Sequence, residues 1–585
     1  MAYDLIIKNG RVVDGSGEPA FEADVAVHQG RIVGVGKYNG AVAARTIDSA
    51  GRVVAPGFID HHTHFDPQAV WDPYCGSWVH NGHTTVIVGQ CGQVIAPVRP
   101  GDAEWYLEFF SDAEQIPLPV LKAGVDVTWE SVGDYLDALG KKRGINVGTL
   151  IGHSGIRRYV MGEAAMEREA TAEEMAAMQR LIREAMYDGA LGFSTAPLDR
   201  GDPAGVPEDA ERWALASVLG ELGTGVFQVA GGAPGGTKAT RAVARELAAR
   251  TGRPSIYNLM SDPIGNPDEW VEHLKWLEDG FKSGARCYGS ALSTVAGGIF
   301  NLERGLNVPQ DEDITHPEGF FRGMPTWDKV MALPYQDRMR AFRDPEIRKA
   351  MSAEAVEGTV AQEGGMTDRR GRTRGGFNRR WDLVEVFMTT KGQNRHLEGK
   401  SIEQIAKEQN KSIMDALLDL SLDEDLQTCF QAIDRNHDPK VQKHILGSHY
   451  TVIGTSDGGG RPHTADRHET STQLLGHWVR EEQVMPLEEA VYRLTGKTAL
   501  MHDITDRGFI AAGKVADITI FDPDTIAPKP REPVANLPAG GVQVRREAVG
   551  IDYVVVNGTV LLDKGELTDA LPGQIIRGPL YQARA

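Results

Sequence analysis

The sequence has few cysteines and no long apolar run, and each of these absences excludes a class of protein. Its four cysteines, Cys75, Cys91, Cys287 and Cys429, form no CxxC pair, which argues against a disulfide scaffold and favours a reducing compartment. No apolar run approaches the ~18 residues that suggest a membrane-spanning helix, and residues 1–8 lack the pattern of a signal peptide. We therefore expect a cytoplasmic protein without a membrane partner.

Positive charge is also scarce relative to negative charge. Lysine and arginine total 62 and aspartate and glutamate total 81, which leaves a net charge of −19. Such a surface repels phosphate backbones and anionic lipid, so we do not expect nucleic acid as a partner. A composition of 41% hydrophobic and 24% charged residues over 585 positions is typical of a globular enzyme. A small-molecule substrate is the expected partner.

Both ends of the chain have the pattern of short β-strands. Asn9-Gly10 separates two apolar runs near the amino terminus, and Asn557-Gly558 does the same near the carboxyl terminus. An Asn-Gly pair between apolar runs indicates a β-hairpin. Two small β segments cannot each bury a core alone. We therefore predict one small β-sandwich domain built from residues 1–55 and 508–575.

The middle of the chain alternates strand patterns with helix patterns. β-branched runs such as Thr84–Val88 and Val226–Ala230 are separated by helical spacing such as that of Ala172–Asp188. Repeated βα units over this length favour an α/β fold closed into a (β/α)8 barrel of the TIM type. We predict the barrel over residues 56–507, with an insertion or lid around residues 300–390.

Three segments carry the residue types of a metal site. His62 and His64 lie two positions apart in an extended segment, so they share one face and can hold one divalent ion. Cys91 follows an apolar strand, and Asp457 lies in a glycine-rich turn, where a carboxylate can bind metal or accept a proton from water. Each signal alone is weak, because a core histidine, a buried cysteine and a turn aspartate are common.

Taken together and in this order, the segments resemble the amidohydrolase superfamily, and within it the D-aminoacylase (N-acyl-D-amino-acid deacylase) branch. The resemblance covers nearly the whole chain, including residues 56–66, 82–92, 488–495 and 506–517. It implies a (β/α)8 barrel with a β-sandwich built from both chain ends. Barrels of this type are often oligomers, so the resemblance also implies a homo-oligomer.

The resemblance further implies a catalytic centre. It gives metal ligands at His62, His64 and Cys91, and at Asp457 a metal-linked group that acts as general base and then as acid. In that branch Zn2+ activates the water that attacks an amide carbonyl. This implication agrees with the chemistry of the same four side chains.

The sequence departs from the family pattern at two barrel strands. The family supplies further histidine ligands at the ends of the fifth and sixth strands, but the matching positions here carry Gln228 and Asn258. An amide oxygen is a poorer zinc ligand than an imidazole. Our hypothesis is one zinc ion held by the two histidines of the His-x-His pair and Asp457, with Cys91 as a fourth ligand or a neighbour. Two ions are the alternative.

Five further side chains are candidates for the pocket. We expect Gln228 and Asn258 to position the substrate carbonyl. His153, after a strand end, is predicted to donate to a substrate oxyanion, and Arg157 to pair with a substrate carboxylate. A structural histidine and a structural ion pair are the alternatives for these two. His463, in the loop beyond the glycine-rich turn, is predicted to assist Asp457.

The function favoured by these residues is metal-dependent hydrolysis of an amide C–N bond in a small molecule. The substrate would be an N-acyl amino acid or a cyclic amide. A lactone or ester hydrolase is a close alternative, because the same attack by water serves both. A carbon–carbon lyase or decarboxylase would use the site as a Lewis acid. A barrel that has lost catalysis and only binds a ligand is the third alternative.

Overall fold

The protein consists of two compact units. The computed structural model describes residues 3–140, 142–196, 203, 209–230, 236–264, 266, 268–303, 305–306, 321, 323–358, 377, 379–462 and 467–582. The first unit comprises Met1–Ser261, Asp268–Thr294 and Lys440–Ala585, and the second comprises Asp262–Pro267 and Val295–Pro439. In the described ranges, none of the helices has the length and apolar content required to cross a membrane.

Both chain ends contribute to one nine-stranded sheet in the first unit. The two halves join where Val53–Pro56 pairs antiparallel with Ile518–Phe521. Alternate residues such as Leu5, Ile7 and Val25 are buried and form the core of this sheet. Its strands are Tyr3–Val12, Phe21–His28, Arg31–Gly36, Ala43–Asp48, Val53–Pro56, Ile518–Phe521, Ile551–Val556, Thr559–Asp563 and Glu566–Leu567. Two short antiparallel pairs are Ala527–Pro528 with Ala548–Val549, and Glu532–Val534 with Gln543–Arg545.

Eight parallel strands, three of them interrupted by a residue, form a closed barrel in the same unit. Each strand pairs with the next along the chain, and the last segment, Thr455–Gly458, pairs back onto His62–Thr63. The strands are Phe58–Asp60 with His62–Thr63, His83–Val88, Asn146–Thr149 with Ile151–Gly152, Gly192–Thr195, Val226–Ala230, Ser255–Met260, Cys287–Ala291, and Thr451–Ile453 with Thr455–Gly458. The barrel and the terminal sheet confirm the predicted fold class.

Apolar side chains from successive barrel strands pack into one interior cluster. Ile59, Ile87, Leu191, Val226 and Ile256 belong to it, and all are buried. A second, larger cluster packs the outside of the strands against the surrounding helices. The interior of the barrel is therefore packed with side chains, and a functional site is expected at the carboxyl ends of the strands.

Helices surround the barrel, and their ends follow ordinary capping chemistry. The helix Ala172–Asp188 begins at Thr171, which forms a capping box with Glu174, and ends at Gly189 in a left-handed conformation. The α-helices of this unit are Gln68–Trp71, Ala103–Glu114, Leu118–Gly124, Val132–Leu139, His153–Met161, Ala172–Asp188, Asp209–Leu222, Gly236–Thr251, Glu269–Lys282, Pro439–Gly447, Thr470–Gln473, Leu487–Leu494 and Gly496–Met501. Leu474–Glu481 is π-helical, and Val79–Asn81, Gly162–Met166 and Pro538–Gly540 are 3₁₀ turns.

The second unit is a four-stranded antiparallel sheet with helices. Its strands are Gly305–Leu306, Ala296–Asn301, Cys429–Arg435 and Val384–Met388, in that spatial order. Its helices are Pro325–Met331, Tyr335–Ala341, Pro345–Ala355, Ile402–Gln409 and Ile413–Asp423, with 3₁₀ turns at Trp381–Leu383 and Gly392–Leu397. Buried side chains such as Trp327, Phe342 and Leu417 give the unit a core of its own.

The second unit extends further along the chain than the predicted insertion. We predicted an insertion around residues 300–390, whereas the unit continues to Pro439. Residues 400–435 contain amphipathic helices and an apolar strand, and this local pattern resembles one more βα repeat of the barrel. Within the predicted insertion, residues 304, 307–320, 322, 359–376 and 378 lie outside the described residues.

Candidate metal centre

The first barrel strand supplies two histidines to the carboxyl end of the barrel. The backbone N–H of His62 donates to Asp60 Oδ1 at 3.1 Å, and Asp60 also accepts from Trp78 Nε1 at 2.8 Å. Thr63 Oγ1 donates to the carbonyl of Ile87 on the next strand at 3.0 Å. These contacts hold the segment in an extended conformation, in which successive side chains point to opposite faces. His62 and His64 therefore lie on the same face, and both are buried.

Cys91 lies in the turn that follows the second barrel strand. Its backbone has a φ of 56°, in the left-handed region that few residues other than glycine adopt. Its Sγ lies 3.5 Å from His62 Nε2 and 3.8 Å from His64 Nε2. The turn therefore directs the thiol at the two imidazoles.

The donor atoms of His62, His64 and Cys91 lie within 4.8 Å of one another. Two imidazoles and a thiolate are ligands typical of zinc. Burial lowers the pKa of His62 to about 3, so the ring is neutral, as metal binding requires. Among the residues that the structure describes, no other group of three histidine, cysteine or acidic side chains meets the same condition. The donor set fits a metal ion.

Asp457 brings a carboxylate to the same place. It lies in the strand segment Thr455–Gly458, beside His62–Thr63, with a φ of 57°. Its Oδ1 is 3.3 Å from His62 Nε2, and its Oδ2 is 3.2 Å from Arg467 Nη1. Burial by itself raises the pKa of Asp457, but the contact with His62 and the positive charge of Arg467 outweigh burial and hold the pKa well below its usual range. Asp457 is therefore an ionised acceptor.

Gln228 and Asn258 also contact the candidate metal ligands. Gln228 Oε1 accepts a hydrogen bond from the backbone N–H of Cys91 at 2.6 Å. The Asn258 amide nitrogen lies 3.1 and 3.0 Å from the two ring nitrogens of His62. Gln228 Nε2 and Asn258 Oδ1 are buried and have no protein partner.

His153 and Arg157 form a different cluster from the one predicted. His153 Nδ1 lies 2.9 Å from Thr195 Oγ1, and its Nε2 lies 2.9 Å from Glu211 Oε1. Arg157 Nη1 donates to both oxygens of Glu211 at 2.9 and 3.0 Å, and the side chains of His153, Arg157 and Glu211 are all buried. Both ring nitrogens and the guanidinium are thus engaged within the protein. The predicted oxyanion and carboxylate-binding roles are corrected to a structural ion-pair network.

The last predicted site residue, His463, lies outside the described residues. The structure adds side chains that the sequence did not indicate. Glu114, buried at the end of a helix, approaches His64 Nδ1 to 3.5 Å, and Arg467 contacts Asp457. Ser194 hydrogen-bonds the turn that carries Cys91. A glutamate, an arginine and a serine without a motif carry no local sequence signal, so only the folded chain reveals them.

A metal-dependent hydrolase barrel is the class of protein that this fold and this donor set define. The sequence profile of the Amidohydrolase family matches residues 45–281 and 441–562. The chain belongs to this family. The unmatched residues 282–440 contain most of the second unit, Val295–Pro439.

Individual relatives agree with the family assignment. D-aminoacylase of Alcaligenes xylosoxydans xylosoxydans is 28% identical, with 98% of this chain and 97% of that protein aligned. N-acyl-D-glutamate deacylase of the same organism is 27% identical, with 98% and 96% aligned. A solved structure of a D-aminoacylase with a binuclear metal centre is 25% identical, with a TM-score of 0.63 over 98% of this chain and 100% of that one. These findings confirm the predicted class, a metal-dependent amidohydrolase acting on non-peptide carbon–nitrogen bonds.

Proposed function

We propose that the chain removes the acyl group from an N-acyl-D-amino acid at a single zinc ion. The observation that carries this proposal is the convergence of His62, His64 and Cys91, whose donor atoms lie within 4.8 Å of one another beside Asp457. Relatives named D-aminoacylase, N-acyl-D-glutamate deacylase and N-acyl-D-aspartate deacylase support the substrate class.

One metal ion is favoured by the side chains on the neighbouring strands. Gln228 and Asn258 carry amides, which are weak zinc ligands, and Gln228 Oε1 already accepts the Cys91 N–H. His62, His64, Cys91 and the nearby Asp457 are thus the donors left for one ion. For the related D-aminoacylase, activation by one metal and attenuation by a second are described, which supports a one-metal enzyme.

When bound, a zinc ion lowers the pKa of water at its open position and polarises a carbonyl group. Asp457 then has the proton-transfer role. Its position beside His62 places an ionised carboxylate where it would accept the proton of the attacking water. The same carboxyl delivers that proton to the leaving nitrogen, so the free amino acid and the carboxylic acid are released.

Two further side chains fit the substrate. Gln228 Nε2 is a buried donor without a protein partner, suited to a hydrogen bond with the amide carbonyl oxygen. Arg467 contacts Asp457 and is the cation that pairs with the α-carboxylate of the substrate. A donor for the carbonyl oxygen and an arginine for the carboxylate match the two polar groups of an N-acyl amino acid.

A substrate panel with metal analysis tests the proposal. The protein is purified without chelator, its metal content is measured, and turnover is compared on N-acetyl-D-amino acids, their L enantiomers, cyclic amides and lactones. We expect about one zinc per chain and turnover of the D substrates. Turnover of lactones or cyclic amides alone would reject the N-acyl amino acid. A product without oxygen from labelled water would reject hydrolysis.

We also propose that the protein acts in the cytoplasm as a homo-oligomer. None of the four cysteines forms a disulfide, as suits a reducing compartment. Light scattering coupled to size-exclusion chromatography measures the mass in solution. A monomer at micromolar concentration would contradict the oligomer.

A further inference from the structure

The turn that carries Cys91 has an unusual backbone. Gly89, Cys91 and Gly92 have φ angles of 78°, 56° and 77°, so three of its four residues are in the left-handed region. Glycine adopts this conformation without penalty, but a cysteine there is strained and is held in place by its surroundings. The surroundings that hold this turn are therefore important to the position of the thiol.

Ser194 closes the turn from the fourth barrel strand. Its Oγ accepts a hydrogen bond from the backbone N–H of Gly92 at 2.9 Å and donates to the carbonyl of Gly89 at 2.6 Å. The side chain is fully buried, so water does not compete for these bonds. One hydroxyl thus bridges the first and last residues of the turn.

Gln228 holds the middle of the same turn from the fifth barrel strand. Its Oε1 accepts the Cys91 N–H at 2.6 Å. Ser194 and Gln228 are directly opposite each other across the two adjacent parallel strands. The two side chains therefore act from one layer of the barrel, and both are buried there.

We propose that Ser194 and Gln228 are positioning residues that clamp the Cys91 turn and aim its thiolate at the metal. The clamp holds Sγ at 3.5 Å from His62 Nε2 and 3.8 Å from His64 Nε2. This inference rests on the metal centre proposed above. It also gives Gln228 a role other than ligand, because the amide oxygen that could bind a metal is engaged with the Cys91 backbone.

Paired variants separate the hydrogen bonds from the size of the side chains. Gln228→Met removes the acceptor at similar length, and Gln228→Glu keeps it. Ser194→Ala removes the hydroxyl, and Ser194→Thr keeps it. Ser255→Ala is the matched control. Ser255 is a buried serine of the next barrel strand, and it donates to the Ala244 carbonyl at 2.7 Å. It lies at the amino end of that strand, whereas the candidate metal centre lies at the carboxyl ends.

Cobalt binding is the first measurement. We expect Gln228→Met and Ser194→Ala to weaken Co2+ affinity about 10- to 100-fold and to reduce the thiolate-to-cobalt charge-transfer absorption. Gln228→Glu and Ser194→Thr should restore that absorption, and Ser255→Ala should leave it unchanged. A merely structural role would not alter the thiolate signal selectively. Unchanged affinity and absorption in both loss variants would overturn the proposal.

Alkylation of Cys91 in the metal-free protein is the second measurement, and it does not require the proposed function. Cys75, Cys287 and Cys429 are buried, and burial raises the pKa of each thiol, to about 12 for the last two, so they react slowly. Freeing the turn should accelerate alkylation of Cys91 several-fold in the two loss variants. If the wild type binds no metal but this acceleration occurs, the metal centre fails and the clamp stands. Equal rates in all variants would reject the clamp.

Discussion

Asp457 Oδ1 lies 3.3 Å from Nε2 of His62, which makes the acid a direct neighbour of a candidate metal ligand. The contact arises where the barrel closes, since Thr455–Gly458 pairs in parallel with His62–Thr63. The last strand thereby delivers a carboxylate to ligands that come from the first strand and the turn after the second. The strand pairing that closes the barrel therefore also brings Asp457 to the candidate ligands.

This arrangement predicts that Asp457→Asn separates catalysis from metal binding. The amide cannot accept a proton, so kcat should fall by about 10²–10⁴, the usual contribution of general base catalysis. His62, His64 and Cys91 remain to hold the ion. Kinetics and elemental analysis on the same preparation test both parts. A variant with activity within tenfold of the wild type would exclude Asp457 as the proton acceptor.

Removing either imidazole should abolish metal binding together with activity. Each of His62→Ala and His64→Ala leaves one imidazole and Cys91, with only the nearby Asp457 as a third donor, and we expect this reduced set to lose the ion on dialysis. His273→Ala is the control, because His273 is also buried but pairs with Glu269 on its own helix. Metal content after dialysis is the measurement. Full metal content in the His62 and His64 variants would place the ion elsewhere.

The sequence was sufficient to predict the barrel, the terminal sheet and the convergence of His62, His64 and Cys91. Two-residue periodicity places His62 and His64 on one face, and glycine-rich strand ends mark the turns of Cys91 and Asp457. Barrel geometry then requires that strand ends meet. Gln228 and Asn258 could also be predicted at the site, because they occupy strand positions that a parallel barrel brings to the same end.

Long-range pairings could not be predicted in the same way. His153 and Arg157 lie after a strand end, as substrate-binding residues do, but Glu211 from a later helix engages both. Arg467 pairs with Asp457 from a loop ten residues further along the chain. Ser194, on the fourth barrel strand, hydrogen-bonds the turn that follows the second strand. Nothing in the local pattern around a glutamate, an arginine or a serine reveals such partners. These contacts depend on how helices and loops pack.

Arg467→Met should weaken recognition of the substrate carboxylate. A hydrogen bond to a charged group contributes about 1.5–3 kcal/mol, so kcat/KM for an N-acetyl-D-amino acid should fall roughly 10- to 100-fold, mainly through KM. The corresponding N-acetyl-D-amino acid amide lacks the carboxylate and serves as the control substrate. An equal loss on both substrates would mean that Arg467 acts through Asp457 and does not bind the carboxylate.

Lys497, away from the metal centre, should make stability depend on pH. Its ammonium group is buried and donates to the carbonyls of His449 and Thr451 at 2.8 and 2.9 Å. Burial, with the charge of Arg493, lowers the pKa of Lys497 from 10.5 to about 7. Between those values the unfolded chain binds a proton that the folded chain does not. The stability contributed by this group therefore rises as pH increases from about 7 to 10.5, and it is lost progressively as pH falls from 10.5 to about 7.

Lys497→Met removes this titration. The free energy of unfolding of the wild type should therefore increase relative to that of the variant as pH rises from about 7 to 10. Urea midpoints of the two proteins, measured at each pH on metal-free samples, give the difference directly. Lys282→Met is the control, because the Lys282 side chain is 65% exposed and its pKa is raised by Glu278. A pH-independent difference between wild type and Lys497→Met would show that the buried amine keeps an ordinary pKa in the folded protein.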